Sequence, residues 1–146
     1  METENQYACL RLENQLCFPM YACAKEIVRS YAPFLAPLGL TYTQYITMMV
    51  MWERRELTVK ELGENLYLDS GTLTPLLKKL EEKGLVTRTR SKMDERNLIV
   101  RVTEEGLALR EEAKNVPSQI RSCIRLDEDE TRTLYALLYK LLGQIE

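Results

Sequence analysis

Between residues 58 and 103 the apolar period of the chain changes once, from helical to extended, and this switch restricts the possible folds more than any other feature. Thr58 followed three residues later by Glu61 is a helix start in which each side chain satisfies the other's backbone N–H, with Leu57 and Leu62 as a flanking apolar staple. The helix begun there runs to about Asn65, Tyr67 and Leu68 form a tight connection, and Asp69 or Ser70 caps a second helix. In that second helix Leu73, Leu76, Leu77 and Leu80 recur at i, i+3, i+4 and i+7, so one face is core. Ser70, Thr72, Thr74, Pro75, Lys78 and Lys79 take the other face, and Gly84 ends the helix. Residues 85–90 and 97–103 are then rich in β-formers, with a polar stretch at 91–96 between them, which predicts a hairpin with a charged tip.

The flanks are helical. Residues 1–8 read as a flexible start, and 14–34 have helical composition before Pro33, Pro37 and Gly39 break the chain. Thr41 caps the next helix, Gln44 closes its capping box, Leu40 and Tyr45 staple it, and it runs to about Glu53. Two helices follow the hairpin. One starts at Thr103 and is interrupted near Pro117; the other starts at Asp127 with Glu130 and carries an apolar stripe of Leu134, Leu137, Leu138, Leu141, Leu142 and Ile145. The expected fold class is mainly α with a small β-hairpin wing. Helix, tight turn, second helix with a polar start, then charged hairpin is the order of a winged helix-turn-helix.

At 146 residues the chain is one domain, and no apolar run approaches the roughly 18 residues needed to cross a bilayer. Its acidic, polar start is unlike a signal peptide, so a cytoplasmic protein is expected. The absence of histidine excludes Cys/His zinc sites, Ser-His-Asp triads and Cys-His nucleophilic pairs, and no cofactor is implied. Cys9, Cys17, Cys23 and Cys123 have no CxxC spacing and are expected to be free thiols. The net charge of −2 hides an asymmetry, because residues 54–101 hold 11 of the 20 Lys and Arg and 8 of the 22 Asp and Glu, a net of +3. A helix that buries one leucine stripe while presenting hydroxyls and cations has the division needed to enter the DNA major groove, and Arg88, Arg90, Lys92 and Arg96 place further charge on the hairpin.

The run from Asp69 to Leu80, with Arg88 and Asp94-Glu95-Arg96-Asn97, closely resembles the MarR family of dimeric bacterial transcription regulators. Leu12-Glu13-Asn14-Gln15-Leu16-Cys17-Phe18, Tyr21, and residues 40–45 with Trp52-Glu53 resemble its organic-hydroperoxide-sensing OhrR branch. The resemblance implies a dimeric MarR-like architecture in which residues of about 12–53 and 103–146 form the dimerisation helices and about 54–102 the winged module. It implies double-stranded DNA with a pseudo-palindromic operator as partner. By the same resemblance Ser70, Thr72, Thr74 and Lys78 meet bases or phosphates, Arg96 enters the minor groove, and Asp94 orients it. Lys79, Arg88 and Lys92 are added on charge.

The resemblance also implies a switch. Pro19 has no N–H and is comfortable only in a first helical turn, so the helix should start near residues 15–18, with Cys17 beside the positive end of the helix dipole. In the family two phenols, here Tyr31 and Tyr42, hydrogen-bond the reactive sulfur, an organic hydroperoxide oxidises it, and the operator is released. Pro19 stands where the family usually carries a non-proline apolar residue. Cys123, near the start of the last helical region, is the candidate resolving thiol from the partner subunit; a low-molecular-weight thiol is the other route. Cys9 and Cys23 have no motif support, and Tyr21 is read as core. Competing readings are a MarR-type regulator responding to a non-covalently bound small aromatic ligand, a small thiol peroxidase, and an adaptor with a degenerate winged module. The peroxidase is disfavoured by the lack of a histidine or of a basic residue next to Cys17.

Overall fold

The structure is a computed structural model in which residues 6–94 and 96–144 are described; Ile145 of the apolar stripe, Glu95 of the hairpin tip and residues 1–5 lie outside them. Two 3-10 turns, Ala8–Leu10 and Leu12–Asn14, lead into α1 (Cys17–Leu35). A third 3-10 turn, Ala36–Leu38, leads to α2 (Tyr42–Arg54), and β1 (Glu56–Thr58) precedes α3 (Val59–Leu66) and α4 (Ser70–Glu82). The hairpin is β2 (Val86–Arg90) and β3 (Leu98–Val102), and α5 (Glu104–Ala113), α6 (Val116–Arg121) and α7 (Glu128–Leu142) complete the chain.

The capping signals act where the sequence places them. Thr41 Oγ1 accepts the Gln44 N–H at 3.3 Å while Gln44 Oε1 accepts the Thr41 N–H at 3.1 Å. The same reciprocal pair joins Thr58 with Glu61 and Asp127 with Glu130. Asp69, not Ser70, caps α4, its carboxylate accepting the Thr72 N–H at 2.8 Å.

The core lies between α2, α3, α4 and the sheet. Leu73, Leu76, Leu77 and Leu80 of α4 meet Tyr45, Met48 and Met51 of α2, Leu62 of α3, and Leu57, Val86 and Val100 of the strands in one cluster. Leu77 and Leu80 are fully buried, so truncating either costs about 2–5 kcal/mol.

Three elements differ from the sequence expectation. The sheet has three antiparallel strands in the order β1-β3-β2, with Leu57 opposite Val100 and Arg88 opposite Val100 on the other side. β1 is three residues long and ends on the residue that caps α3, which leaves no alternating pattern to read. Pro33 does not end α1, because the donor it lacks would have served the carbonyl of Arg29, an exposed residue open to water. Around Pro117 the chain forms a separate short helix, α6, so three helices follow the hairpin instead of two.

No residue of α7 is buried. Leu134, Leu137, Leu138, Tyr135 and Tyr139 are all exposed, as are Tyr7, Leu10, Leu12, Leu16 and Phe18 at the other end of the chain. Among the described residues no helix is long and apolar enough to cross a membrane.

Candidate nucleic-acid interface and thiol site

On α4 the division of faces is complete. Ser70, Thr72, Thr74, Lys78 and Lys79 are exposed on the helix whose four leucines are buried. Thr74 Oγ1 donates to the Ser70 carbonyl at 2.8 Å, which leaves its lone pairs outward. Opposite the start of α4 stands the wing. Asp94 accepts the Arg96 backbone N–H at 3.0 Å and the Asn97 side-chain amide at 3.4 Å, so it holds Arg96 through the main chain. Ser70, Thr74, Arg96 and Asn97 line one cleft of about 730 Å³. Lys92 is exposed on the hairpin tip.

Arg88 is placed differently. Its guanidinium donates to Glu81 at 3.2 Å and its backbone N–H to the same carboxylate at 3.0 Å, which ties β2 to the end of α4 and holds the Glu81 carboxyl below its ordinary range. The Arg88 side chain is only 20% exposed, and its Nε is buried without a partner among the described residues. Arg101 is likewise engaged, with Glu56 on β1 and with Thr89 on β2 at 3.0 Å, so part of the positive charge of the middle segment braces the sheet. Lys60, Glu64 and Tyr67 also line the cleft and were not singled out from the sequence. Their i, i+4, i+7 spacing on one side of α3 was the available signal.

Cys17 is the first residue of α1 and is exposed. Leu16 before it supplies no side-chain cap and Pro19 no N–H, so the sulfur sits at a helix start whose backbone donors lack a side-chain acceptor. The phenols form a separate cluster. The Tyr31 and Tyr42 rings are 4.8 Å apart, Tyr45 lies 5.8 Å from Tyr31, and the sole tryptophan, Trp52, lies 6.4 Å from Tyr45 with its indole N–H donating to the Gly106 carbonyl at 2.7 Å. Burial raises all three tyrosine pKa values, so the hydroxyls remain protonated donors at neutral pH.

Tyr31 lies fourteen positions after Cys17 on one continuous helix, about 21 Å of rise, so within one chain the thiol and the tyrosine pair do not meet. Cys123 lies just beyond α6, exposed, with its thiol 3.8 Å from the Gln119 carbonyl. Cys9 and Cys23 are also free and exposed, and Tyr21, expected in the core, is exposed, with the Lys25 ammonium 5.8 Å from its ring centre.

A family model for the SarA/Rot transcriptional regulators matches residues 29–113. The chain is 45% identical over 139 residues to the organic hydroperoxide resistance transcriptional regulator of Bacillus subtilis, covering 95% of each protein. It is 43% identical over 134 residues to the HTH-type transcriptional regulator SarZ of Staphylococcus epidermidis, covering 92% of this chain and 88% of that one. Among solved structures it is similar to reduced AbfR bound to DNA, also from Staphylococcus epidermidis, with a TM-score of 0.77 at 36% identity over 99% of this chain and 98% of that one. AbfR is also known in an overoxidized DNA-bound form and in a disulfide form. With this fold, this arrangement of α4 and wing, and these relatives, the chain belongs to the MarR-type winged-helix transcriptional regulators of the organic hydroperoxide resistance and SarZ kind.

Proposed function

We propose that the protein is a homodimeric, DNA-binding transcriptional repressor that responds to organic hydroperoxides through Cys17 and then releases its operator. The observation that carries the DNA-binding half is the division of α4, whose leucines are buried while Ser70, Thr72, Thr74, Lys78 and Lys79 are exposed, with Ser70 and Thr74 lining the cleft they share with Arg96. In this reading the exposed hydroxyls and lysines of α4 meet bases and phosphates, Arg96 enters the adjacent minor groove, and Lys92 adds charge at the wing tip. Asp94 holds the turn that carries Arg96, and Arg88 contributes by fixing β2 to α4 through Glu81. The chain works as one domain, with residues 54–102 as the winged module and the flanking helices as the dimerisation region.

The sensing half follows from the separation of thiol and phenols. The thiol of one subunit, exposed among Leu12, Leu16 and Phe18, lies against the Tyr31 and Tyr42 pair of the other, once the uncovered apolar faces of α7 and the N-terminal segment interlock in the dimer. The Cys17 thiolate attacks the distal peroxide oxygen, the O–O bond breaks, and the alkoxide leaves as the alcohol after taking a proton, so that sulfur becomes a sulfenic acid. A second thiol then displaces hydroxide, released as water, to form a disulfide. That thiol is Cys123 of the partner subunit or a low-molecular-weight thiol. Peroxide is consumed once per cysteine, so the protein acts as a sensor rather than an enzyme, and its DNA target places it in the cytoplasm.

Operator affinity measured before and after one equivalent of organic hydroperoxide, with intact-mass analysis, tests this reading. Loss of binding with one oxidation at Cys17, absent in Cys17→Ser, is the expected result; normal release by Cys17→Ser overturns it. A Cys17–Cys123 cross-link lost in Cys123→Ser selects the two-cysteine route.

One observation favours a second reading. Tyr45, Met49, Trp52, Ala113 and Pro117 wall a cavity of about 190 Å³ rimmed by Arg110 and Lys114, which suits a small aromatic acid bound without covalent chemistry. Quenching of Trp52 fluorescence by such a ligand, with release of DNA by Cys17→Ser, selects this alternative.

A further inference from the structure

Lys83 closes α4, and a lysine at that place ordinarily turns its ammonium back to the last carbonyls of its own helix. Here Nζ instead donates to the Gly39 carbonyl and, at 3.0 Å, to Gln44 Oε1. Both acceptors belong to the joint between α1 and α2. Gly39, at φ +66°, ends the 3-10 turn after α1, in a left-handed conformation open to a residue without Cβ. Gln44 is buried, and the same Oε1 holds the Thr41 N–H that starts α2.

This joint carries the two phenols. Tyr31 stands four residues before the end of α1, Tyr42 is the first residue of α2, and their rings touch across the joint. One cation therefore links the end of the helix that presents Ser70 to Lys79 with the backbone just before Tyr42 and with a side chain two residues after it. Lys83 itself is exposed and both acceptors are neutral carbonyl oxygens, so the link is a pair of charge-assisted hydrogen bonds and not an ion pair.

Resting on the redox reading above, we propose that Lys83 is the positioning residue that couples the thiol site to the DNA-binding helix. While Cys17 of the partner subunit is reduced, the tyrosine pair and the joint stay in place, and α4 rests on its buried leucines at the angle that fits the groove, with Lys83 bridging it to the joint. Oxidation displaces the pair, the joint moves, and the ammonium carries the end of α4 with it. The buried leucines of α4 act as the pivot, so a small displacement at the joint becomes a tilt of the exposed face.

The test compares the full-length dimer with Lys83→Met, which keeps the aliphatic stem, and with Lys83→Arg, which keeps the charge and donors. Each is assayed for operator affinity against salt, reduced and after one equivalent of cumene hydroperoxide, with Cys17 oxidation followed by intact mass. The expected result is that Lys83→Met oxidises at Cys17 at the wild-type rate and binds DNA when reduced within about threefold of wild type. The loss of affinity on oxidation shrinks at least tenfold, and Lys83→Arg restores it. Equal release by Lys83→Met and wild type overturns the coupling role alone. A salt slope reduced by about one in reduced Lys83→Met also overturns it, because Lys83 is then a phosphate contact. Wild-type protein that keeps its DNA with Cys17 oxidised overturns the sensing reading and the coupling with it.

Discussion

At Arg96, Asp94 does its work through the main chain: it accepts the Arg96 N–H and the Asn97 amide, leaving the guanidinium free to reach outward. In the proposed reading Arg96→Ala therefore removes a DNA contact, and it leaves the turn that Asp94 holds in place. Its expected effect is a loss of about 1–3 kcal/mol in operator binding, roughly five- to 150-fold, with unchanged thermal stability and dimerisation, read by DNA titration and calorimetry. Tyr31, Tyr42 and Tyr45 behave differently because burial raises their pKa values above the ordinary tyrosine value of about 10. The folded state then holds protons that the unfolded chain gives up first. Their contribution to stability is intact below about pH 10 and is lost as pH rises through the raised folded values. Denaturant unfolding between pH 9 and 11.5 should show stability falling steeply above pH 10, with a shallower fall in Tyr31→Phe and Tyr42→Phe.

The helix-turn-helix depends on how closely two elements approach. A Cβ on Gly63 of α3 would stand 2.6 Å from the Leu68 carbonyl and 3.2 Å from the Leu73 side chain, and the Gly63 carbonyl accepts the Leu68 N–H at 3.0 Å. Backbone cannot yield there without moving the start of α4. Gly63→Ala is expected to cost about 1–3 kcal/mol of stability and to weaken operator binding, measured by thermal melts and DNA titration. Tyr67, in the left-handed conformation at φ +55°, ends α3 where a glycine would be usual, and it faces the cleft. Capping residues at 41, 44, 58, 61, 69, 127 and 130 were legible because a cap is a local bargain between a side chain and a backbone two or three residues away. β1 was not legible, because its partner β3 is more than 40 residues distant and its own three residues carry no period.

For the whole molecule the governing feature is the apolar surface the single chain leaves uncovered at both ends. Leu137 of α7 is 53% exposed and Leu134 45%, on a helix with no buried residue. Such a surface is satisfied by a second copy of the chain, which in the proposed reading also brings the thiol to the phenols. Leu137→Glu is expected to shift the protein from dimer to monomer in sedimentation and to lower operator affinity about a hundredfold or more, since two linked half-sites become independent. The core of α2, α3, α4 and strand residues does not involve α7, so the Leu137→Glu monomer should keep its fold.

The sequence alone determined what is decided within a few residues: where the capped helices begin, which stripe of α4 is core, where the period turns extended, and that Cys17 starts a helix. Only the tertiary structure decided which charges are already engaged and which residues meet across long separations. Arg88 and Lys92 are equivalent in sequence, yet one is enclosed against Glu81 and the other is exposed. Cys17 and Tyr31 share one helix and still stand about 21 Å apart, while Lys83 reaches back to Gly39 and Gln44. The physical reason is range: caps and periods act through local backbone hydrogen bonds, whereas ion pairs and clamps depend on how whole elements pack.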